Sequence, residues 1–161
     1  MEKEKKAEHV VFRGMRFKDL LQVQQLNVKN STENFLLGTF LNSLSMSYTT
    51  SFVAETDEKV IGYSEAVFFK SKMKGHIYSI CVDAPFRRSG IGRRLVNLSI
   101  DAMRIESQGR RCEIDLHVRA SNVGAISLYR SAGFEIREAN IPYYEAGAAG
   151  HRMSLWLESS T

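Results

Sequence analysis

Arg87, Gly90 and Gly92 stand in an R-x-x-G-x-G pattern, with Arg88, Arg93 and Arg94 beside them. Residues 76–82 read as a strand, and the run after Gly92 has helical spacing. Glycines let the backbone turn tightly and let a ligand approach the bare main chain. A helix opening there aims unpaired N–H groups and the positive end of its dipole at the turn. Such an arrangement binds phosphate or pyrophosphate. Taken alone, the spacing fits a solvated basic turn before an ordinary helix equally well. It is not a dinucleotide fingerprint, because the third glycine is missing, and not a P-loop, because no G-K-[ST] closes it.

The elements that must position this turn follow from periodicity. Residues 9–13 read as a strand, and 17–26 as a helix with Leu20, Leu21, Val23 and Leu26 at helical spacing. A second helix is expected from about 35 to 44, with Ser31 or Thr32 as its cap. Residues 51–55 and 60–69 read as a hairpin turning at 56–59, and Gly62 marks a bulge or a close approach. Pro85 ends the central strand. In the helix after Gly92, the positions Ile91, Leu95, Leu98, Ala102 and Ile105 form a core stripe.

The next strand, 111–119, places Ile114, Leu116 and Val118 on one face and Glu113, Asp115, His117 and Arg119 on the other. A strand beside a core helix should be buried on both faces. A fully polar second face points to a strand lining an opening; the alternative is the solvated face of an antiparallel sheet. Ser121 or Asn122 caps a helix carrying Ala125, Ile126, Leu128, Tyr129 and Ala132, and Gly133 suits its left-handed end. Residues 134–139 and 152–157 close the chain as two strands. The order is β-α-α-β-β-β-α-β-α-β-β, an α/β (α+β) pattern that predicts a mixed sheet of about seven strands.

Composition bounds the function. A length of 161 residues suits one domain, 1–161, with residues 1–8 as a charged, frayed tail. Apolar residues at 43% and charged residues at 25% are ordinary for a soluble globular protein. No apolar run approaches the roughly 20 residues that span a bilayer, and MEKEKKAEH has no secretory character. Cys81 and Cys112 read as buried free thiols of a reducing compartment, and no metal-ligand spacing links Cys and His. The net charge of +4 is concentrated at Arg87, Arg88, Arg93, Arg94, Arg110 and Arg111. An anionic cofactor uses such a cluster as well as nucleic acid does, and no strand carries an aromatic RNA-binding signature. Neither nucleic acid nor membrane is expected as a partner.

The turn, preceded by Val82-Asp83-Ala84-Pro85-Phe86, resembles the acetyl-CoA signature of the Gcn5-related N-acetyltransferases (GNAT). Leu116-His117-Val118-Arg119-Ala120-Ser121-Asn122, running through Ala125-Ile126-Ser127-Leu128-Tyr129 to Gly133-Phe134, resembles that family's next motif. The resemblance implies a central sheet splayed in its middle, between 76–82 and 113–119, with helices on both faces. It implies acetyl-CoA held by Arg87, Arg88, Ser89, Gly90, Ile91, Gly92 and Arg93, its arm lying along Ile80, Cys81 and Val82, with Asn122 and Tyr129 in contact. It implies Tyr129 as the acid for the departing thiolate. His76 and His117, one on each parted strand, are candidate bases; Glu33 is a third candidate, which could orient the amine or a water.

Within the family the chain is most similar to protein N-terminal acetyltransferases. Ser31-Thr32-Glu33-Asn34-Phe35 resembles the L-P-E-N-Y loop of the NatA type, Gly75-His76-Ile77 its G-H-I, and Leu116-His117-Val118-Arg119 its L-H-V-R. Pro142-Tyr143-Tyr144 resembles the loop that covers the substrate's N-terminus. His117 matches the histidine of the NatE type, and V-R-A-S-N is shared with the bacterial ribosomal-protein acetyltransferase. Glu33, Phe35, Arg119, Tyr143 and Tyr144 are therefore the expected peptide contacts. Two departures fall on that side: the loop proline is absent, and residues 147–150 are G-A-A-G where the NatA type has an acidic pair. The expectation is a cytoplasmic acetyl-CoA-dependent enzyme acting on the α-amine of a peptide or protein N-terminus, with a helical-repeat auxiliary subunit as a possible partner. The alternatives are a lysine or small-amine acetyltransferase and a silent acyl-CoA-binding module.

Overall fold

The computed structural model describes residues 9–30, 41, 50–142 and 148–160. The expected second helix at 35–44 falls outside them except for Leu41, as does the tail at 1–8. Seven strands form one sheet in the order β1-β2-β3-β4-β5-β7-β6. They are β1 (Val11–Gly14), β2 (Phe52–Thr56), β3 (Lys59–Phe69), β4 (Lys74–Val82), β5 (Cys112–Arg119), β6 (Glu135–Pro142) and β7 (Ala149–Leu157). Among the described residues only β4 and β5 pair in parallel, joined by a helical crossover. The mixed sheet expected from the pattern is present.

Three described helices cover the sheet: α1 (Leu20–Lys29), α2 (Ile91–Glu106) and α3 (Val123–Ser131). Val23 and Leu26 of α1 pack with Val53, Tyr63 and Cys81 on one face. On the other face, Val96, Ile100 and Met103 of α2 and Ile126 and Tyr129 of α3 pack with Ile77, Ile114, Leu116 and Val118. The apolar side of β5 is thus its core side, as the alternation required.

The stripe expected on α2 is only half right. Ile91 and Leu95 are buried, but Leu98 and Ala102 are half-buried and Ile105 is 74% exposed. The face that meets the sheet instead carries Val96, Ser99, Ile100 and Met103. Successive helical residues are about 100° apart, and the true stripe is turned by roughly that much. Ser99 explains the turn. Its hydroxyl lies 2.9 Å from that of Ser64 and donates to the Thr50 carbonyl at 2.7 Å, so a polar residue sits in mid-stripe fully satisfied.

Two irregularities in β3 and β4 shape the site. Gly62 lies at a register shift between β2 and β3, and a Cβ there would come within 3.1 Å of the Cys81 carbonyl, so bulge and close approach coincide. On β4, Ser79 pairs with Glu65 but Ile77 pairs with Ala66, which leaves Tyr78 as the extra residue. A bulge of one residue reverses side-chain alternation. Ile77 therefore faces α2, while Cys81 packs with α1 and Ser79 meets the Tyr63 hydroxyl on that same side.

Candidate active site

β4 and β5 pair over only four positions, from Lys74 opposite Glu113 to Ile77 opposite Leu116. Beyond Ile77 the strands part, and a cavity of about 700 Å³ opens between them. Its wall includes Ile80, Cys81 and Val82 on the freed length of β4, and His117 and Arg119 on β5. The opening expected from the polar face of β5 exists, but the face divides. Glu113 and Asp115 lie on the paired length and are ion-paired; His117 and Arg119 reach the cavity.

At one end of the cavity stands the N-terminus of α2. Gly90 is its N-cap, with φ +82°, a conformation open to glycine without a Cβ penalty. The first intrahelical bond runs from Arg94 N–H to the Gly90 carbonyl at 3.0 Å. The amides of Ile91, Gly92 and Arg93 therefore point out of the helix end. Arg87, Arg88, Gly90, Ile91, Gly92 and Arg93 all line the cavity. Ser89 does not; its hydroxyl donates to the Phe86 carbonyl. Arg87 is tied down within the protein: Nε donates to the Val82 carbonyl at 3.0 Å and Nη2 to Asn30 Oδ1 at 3.1 Å. Bare amides, a positive dipole end and flanking arginines fit a diphosphate.

Asn30, at the end of α1, is a cavity residue that the sequence reading missed. Its Nδ2 donates to Asp83 Oδ1 at 3.3 Å, and Lys29 Nζ lies 3.1 Å from the same carboxylate. Burial pushes the Asp83 carboxyl up, but Lys29 and Asn30 outweigh it and hold it below the usual range.

Asn122 caps α3 by accepting from the Ala125 amide at 3.2 Å, and Gly133 ends that helix at φ +103°. Both Asn122 and Tyr129 line the cavity. The Tyr129 ring also packs edge-on against Phe134, centroids 5.9 Å apart, so its core and cavity placements coexist.

His76, Asp115 and His117 lie on the sheet face opposite α2, and of the three only His117 is on the cavity wall; His76 stands on the paired length of β4. His76 Nδ1 lies 2.6 Å from Asp115 Oδ1. Asp115 Oδ2 takes Lys74 Nζ at 3.1 Å and Arg152 Nε at 3.3 Å, and Arg152 Nη2 donates to Glu113 at 2.7 Å. Burial pushes the Asp115 carboxyl up, but the His76 and Lys74 bonds and charges outweigh it and hold it at about 2. The His76 ring meets Tyr78 edge-on at 4.6 Å and lies 5.8 Å from the His117 ring. Burial, followed by the proximity of His76, pushes the His117 pKa below the usual histidine value. Glu33, Phe35, Tyr143 and Tyr144 lie outside the described residues. Among the described residues, no group of three or more His, Cys, Asp or Glu could hold a metal.

Residues 16–134 match the model of the acetyltransferase (GNAT) family. This chain belongs to that family. As a GNAT acetyltransferase it is an acyltransferase, and the parted strands and helix N-terminus are its candidate machinery. An N-alpha-acetyltransferase of Sulfurisphaera tokodaii is 33% identical over 163 residues, spanning 95% of this chain and 96% of that protein. Among solved structures, Ard1 from Thermoplasma volcanium superposes with a TM-score of 0.81 at 23% identity, covering 92% of this chain and 97% of that one. Arabidopsis thaliana Naa50, solved with the bisubstrate analogue CoA-Ac-MVNAL, gives a TM-score of 0.79 at 26% identity, covering 91% and 97%. The GNAT fold expected from the sequence, with its splayed seven-stranded sheet, is present.

Proposed function

We propose that this GNAT acetyltransferase transfers the acetyl group of acetyl-CoA to the α-amine of a protein or peptide N-terminus, by direct attack within a ternary complex. The observation that carries this reading is one continuous cavity reaching from the α2 N-terminus to His117. The similarity to an N-alpha-acetyltransferase over nearly the full length of both chains supports the acceptor, and the Naa50 complex supports coenzyme A as the donor's carrier.

In this reading the amides of Ile91, Gly92 and Arg93, with Arg88 beside them, hold the diphosphate. Arg87 shapes the turn from behind. Ile80, Cys81 and Val82, beyond the last β4–β5 pair, offer their cavity side to the extended arm, and a main-chain N–H there polarises the thioester carbonyl. Acetyl-CoA supplies an acyl group on a leaving thiolate. Tyr129 protonates that thiolate, Asn122 contacts the cofactor, and Arg119 lies on the acceptor side. Glu33, Phe35, Tyr143 and Tyr144 complete the acceptor site.

The pair His76 and His117 suits an α-amine. That amine has an unperturbed pKa near 7.7–8.0, within reach of histidine at about 6.5; a lysine near 10.4 demands roughly 3 kcal/mol more. Two buried free thiols accord with the cytoplasm as the place of action. Exposed Leu21 and Val28 on α1, with exposed Phe17 just before it, accord with an auxiliary subunit covering that helix.

The test is a screen of free N-terminal peptides with acetyl-CoA, beside the same peptides blocked at the N-terminus and carrying free lysines. The reading expects acetylation of the free set alone. Acetylation of the blocked set would transfer the assignment to lysine.

A further inference from the structure

We propose that Asp115 is a positioning residue for the transfer: it fixes His76 with its proton on Nδ1, which leaves Nε2 as the acceptor of the amine's proton. The inference rests on the acyltransferase reading above and deepens it by selecting between the two histidines.

His76 and Asp115 are directly paired across β4 and β5, one position before the strands part. The Asp115 side chain is 7% exposed and that of His76 19%, so the carboxylate lies inside and the ring reaches solvent. Asp115 cannot turn away, because Lys74 and Arg152 grip its second oxygen and Glu113 anchors Arg152. An ionised carboxylate only accepts, so the 2.6 Å contact requires a proton on His76 Nδ1. In the neutral ring the free lone pair is then on Nε2. Tyr78 packs edge-on against the ring and fixes its plane.

The amine nitrogen bonds to the acetyl carbon, and its proton passes to His76 Nε2, directly or through one water. The carbon–sulfur bond breaks, and the thiolate takes a proton from the Tyr129 hydroxyl, which is restored from solvent. The Asp115 carboxylate balances the charge placed on the imidazole. The sequence reading saw Asp115 only as one residue of a polar face, because its partner is 39 positions away.

The experiment compares wild type, Asp115→Asn, His76→Ala and the double variant at saturating acetyl-CoA. Peptide KM and acetyl-CoA affinity are measured in parallel. The expected result is a kcat lowered in Asp115→Asn by on the order of 10- to 100-fold, no more than the low end of what a general base contributes, because the base itself remains. KM and cofactor affinity should move less than about threefold, and the double variant should be no slower than His76→Ala alone. Unchanged kcat, or penalties that multiply in the double variant, would overturn the proposal. If Asp115→Asn does not fold, ¹⁵N spectra of the wild-type imidazoles decide: a His76 Nδ1–H tautomer upholds the assignment and an Nε2–H tautomer overturns it. The wild type is assayed with free N-terminal, lysine and small amines. Transfer only to the last two refutes the α-amine reading, while the variant ratios still test Asp115 on whichever amine reacts.

Discussion

Arg87 Nη2 donates to the side-chain oxygen of Asn30 at 3.1 Å, which ties the glycine turn to the end of α1. Asn30 also accepts from the Ala84 amide at 3.2 Å and donates to Asp83 and to the Leu26 carbonyl. One amide side chain thus joins the end of α1 to the turn assigned to the diphosphate. Asn30→Ala should release Arg87 and weaken acetyl-CoA binding by roughly five- to tenfold, the scale of one or two hydrogen bonds. Isothermal titration calorimetry reads this directly. Unaltered affinity would show that the Arg87 staple is not needed to shape the turn.

The turn itself allows a harsher test. Arg88→Glu combined with Gly90→Glu puts two negative charges at the helix end and a side chain where φ is +82°. Acetyl-CoA binding should be abolished, and the strain of a side chain at φ +82° should lower the melting temperature by a few degrees while the fold persists, since Arg88 and Gly90 are exposed. Retained affinity in calorimetry would remove the diphosphate from this place.

Tyr129 has both a core contact and a cavity position, and the two can be separated. Tyr129→Phe keeps the edge-on contact with Phe134 and removes only the hydroxyl. It should lower kcat by on the order of 10²-fold, the usual worth of a positioned acid, with folding intact. Wild-type turnover in steady-state kinetics would exclude the hydroxyl from the reaction.

The titrating groups predict two steps in stability against pH. The His117 pKa is lower folded than unfolded, so its contribution is complete above the unfolded value near 6.5 and is lost as pH falls below it. Asp19, Asp83 and Asp115 are also held low in the folded state. Their contribution is complete above the unfolded carboxylate value near 3.9 and is lost as pH falls toward the Asp115 value of about 2. Thermal midpoints measured from pH 8 to pH 2.5 should show a shallow fall below 6.5 and a steeper one below 4. His117→Asn should lack the first; a first step unchanged in that variant would assign it to another group.

What was legible in the sequence was local. The R-x-x-G-x-G turn needs only a strand, two glycines and a helix in succession, and Gly90 occupies the conformation its position implied. Alternation in β5 separated Ile114, Leu116 and Val118 from Asp115 and His117, because a strand's faces are fixed by parity. What was illegible depended on partners far away in the chain. The His76–Asp115 bond depends on the parallel register of β4 and β5. The extra residue at Tyr78 leaves no trace in composition, yet it decides which side chains of β4 meet α1. Ser99 misled the reading of α2, since a hydroxyl bonded to Ser64 and Thr50 is core in a way that hydrophobic spacing omits. Asn30, whose side chain meets Ala84 and Arg87 more than fifty positions away, was illegible for the same reason.

The account is tested most directly by a crystal structure of this protein grown with coenzyme A. It predicts the diphosphate against the amides of Ile91, Gly92 and Arg93, with the arm running along Ile80, Cys81 and Val82 toward His117. Coenzyme A bound elsewhere, with the amides of that turn bare, would contradict it.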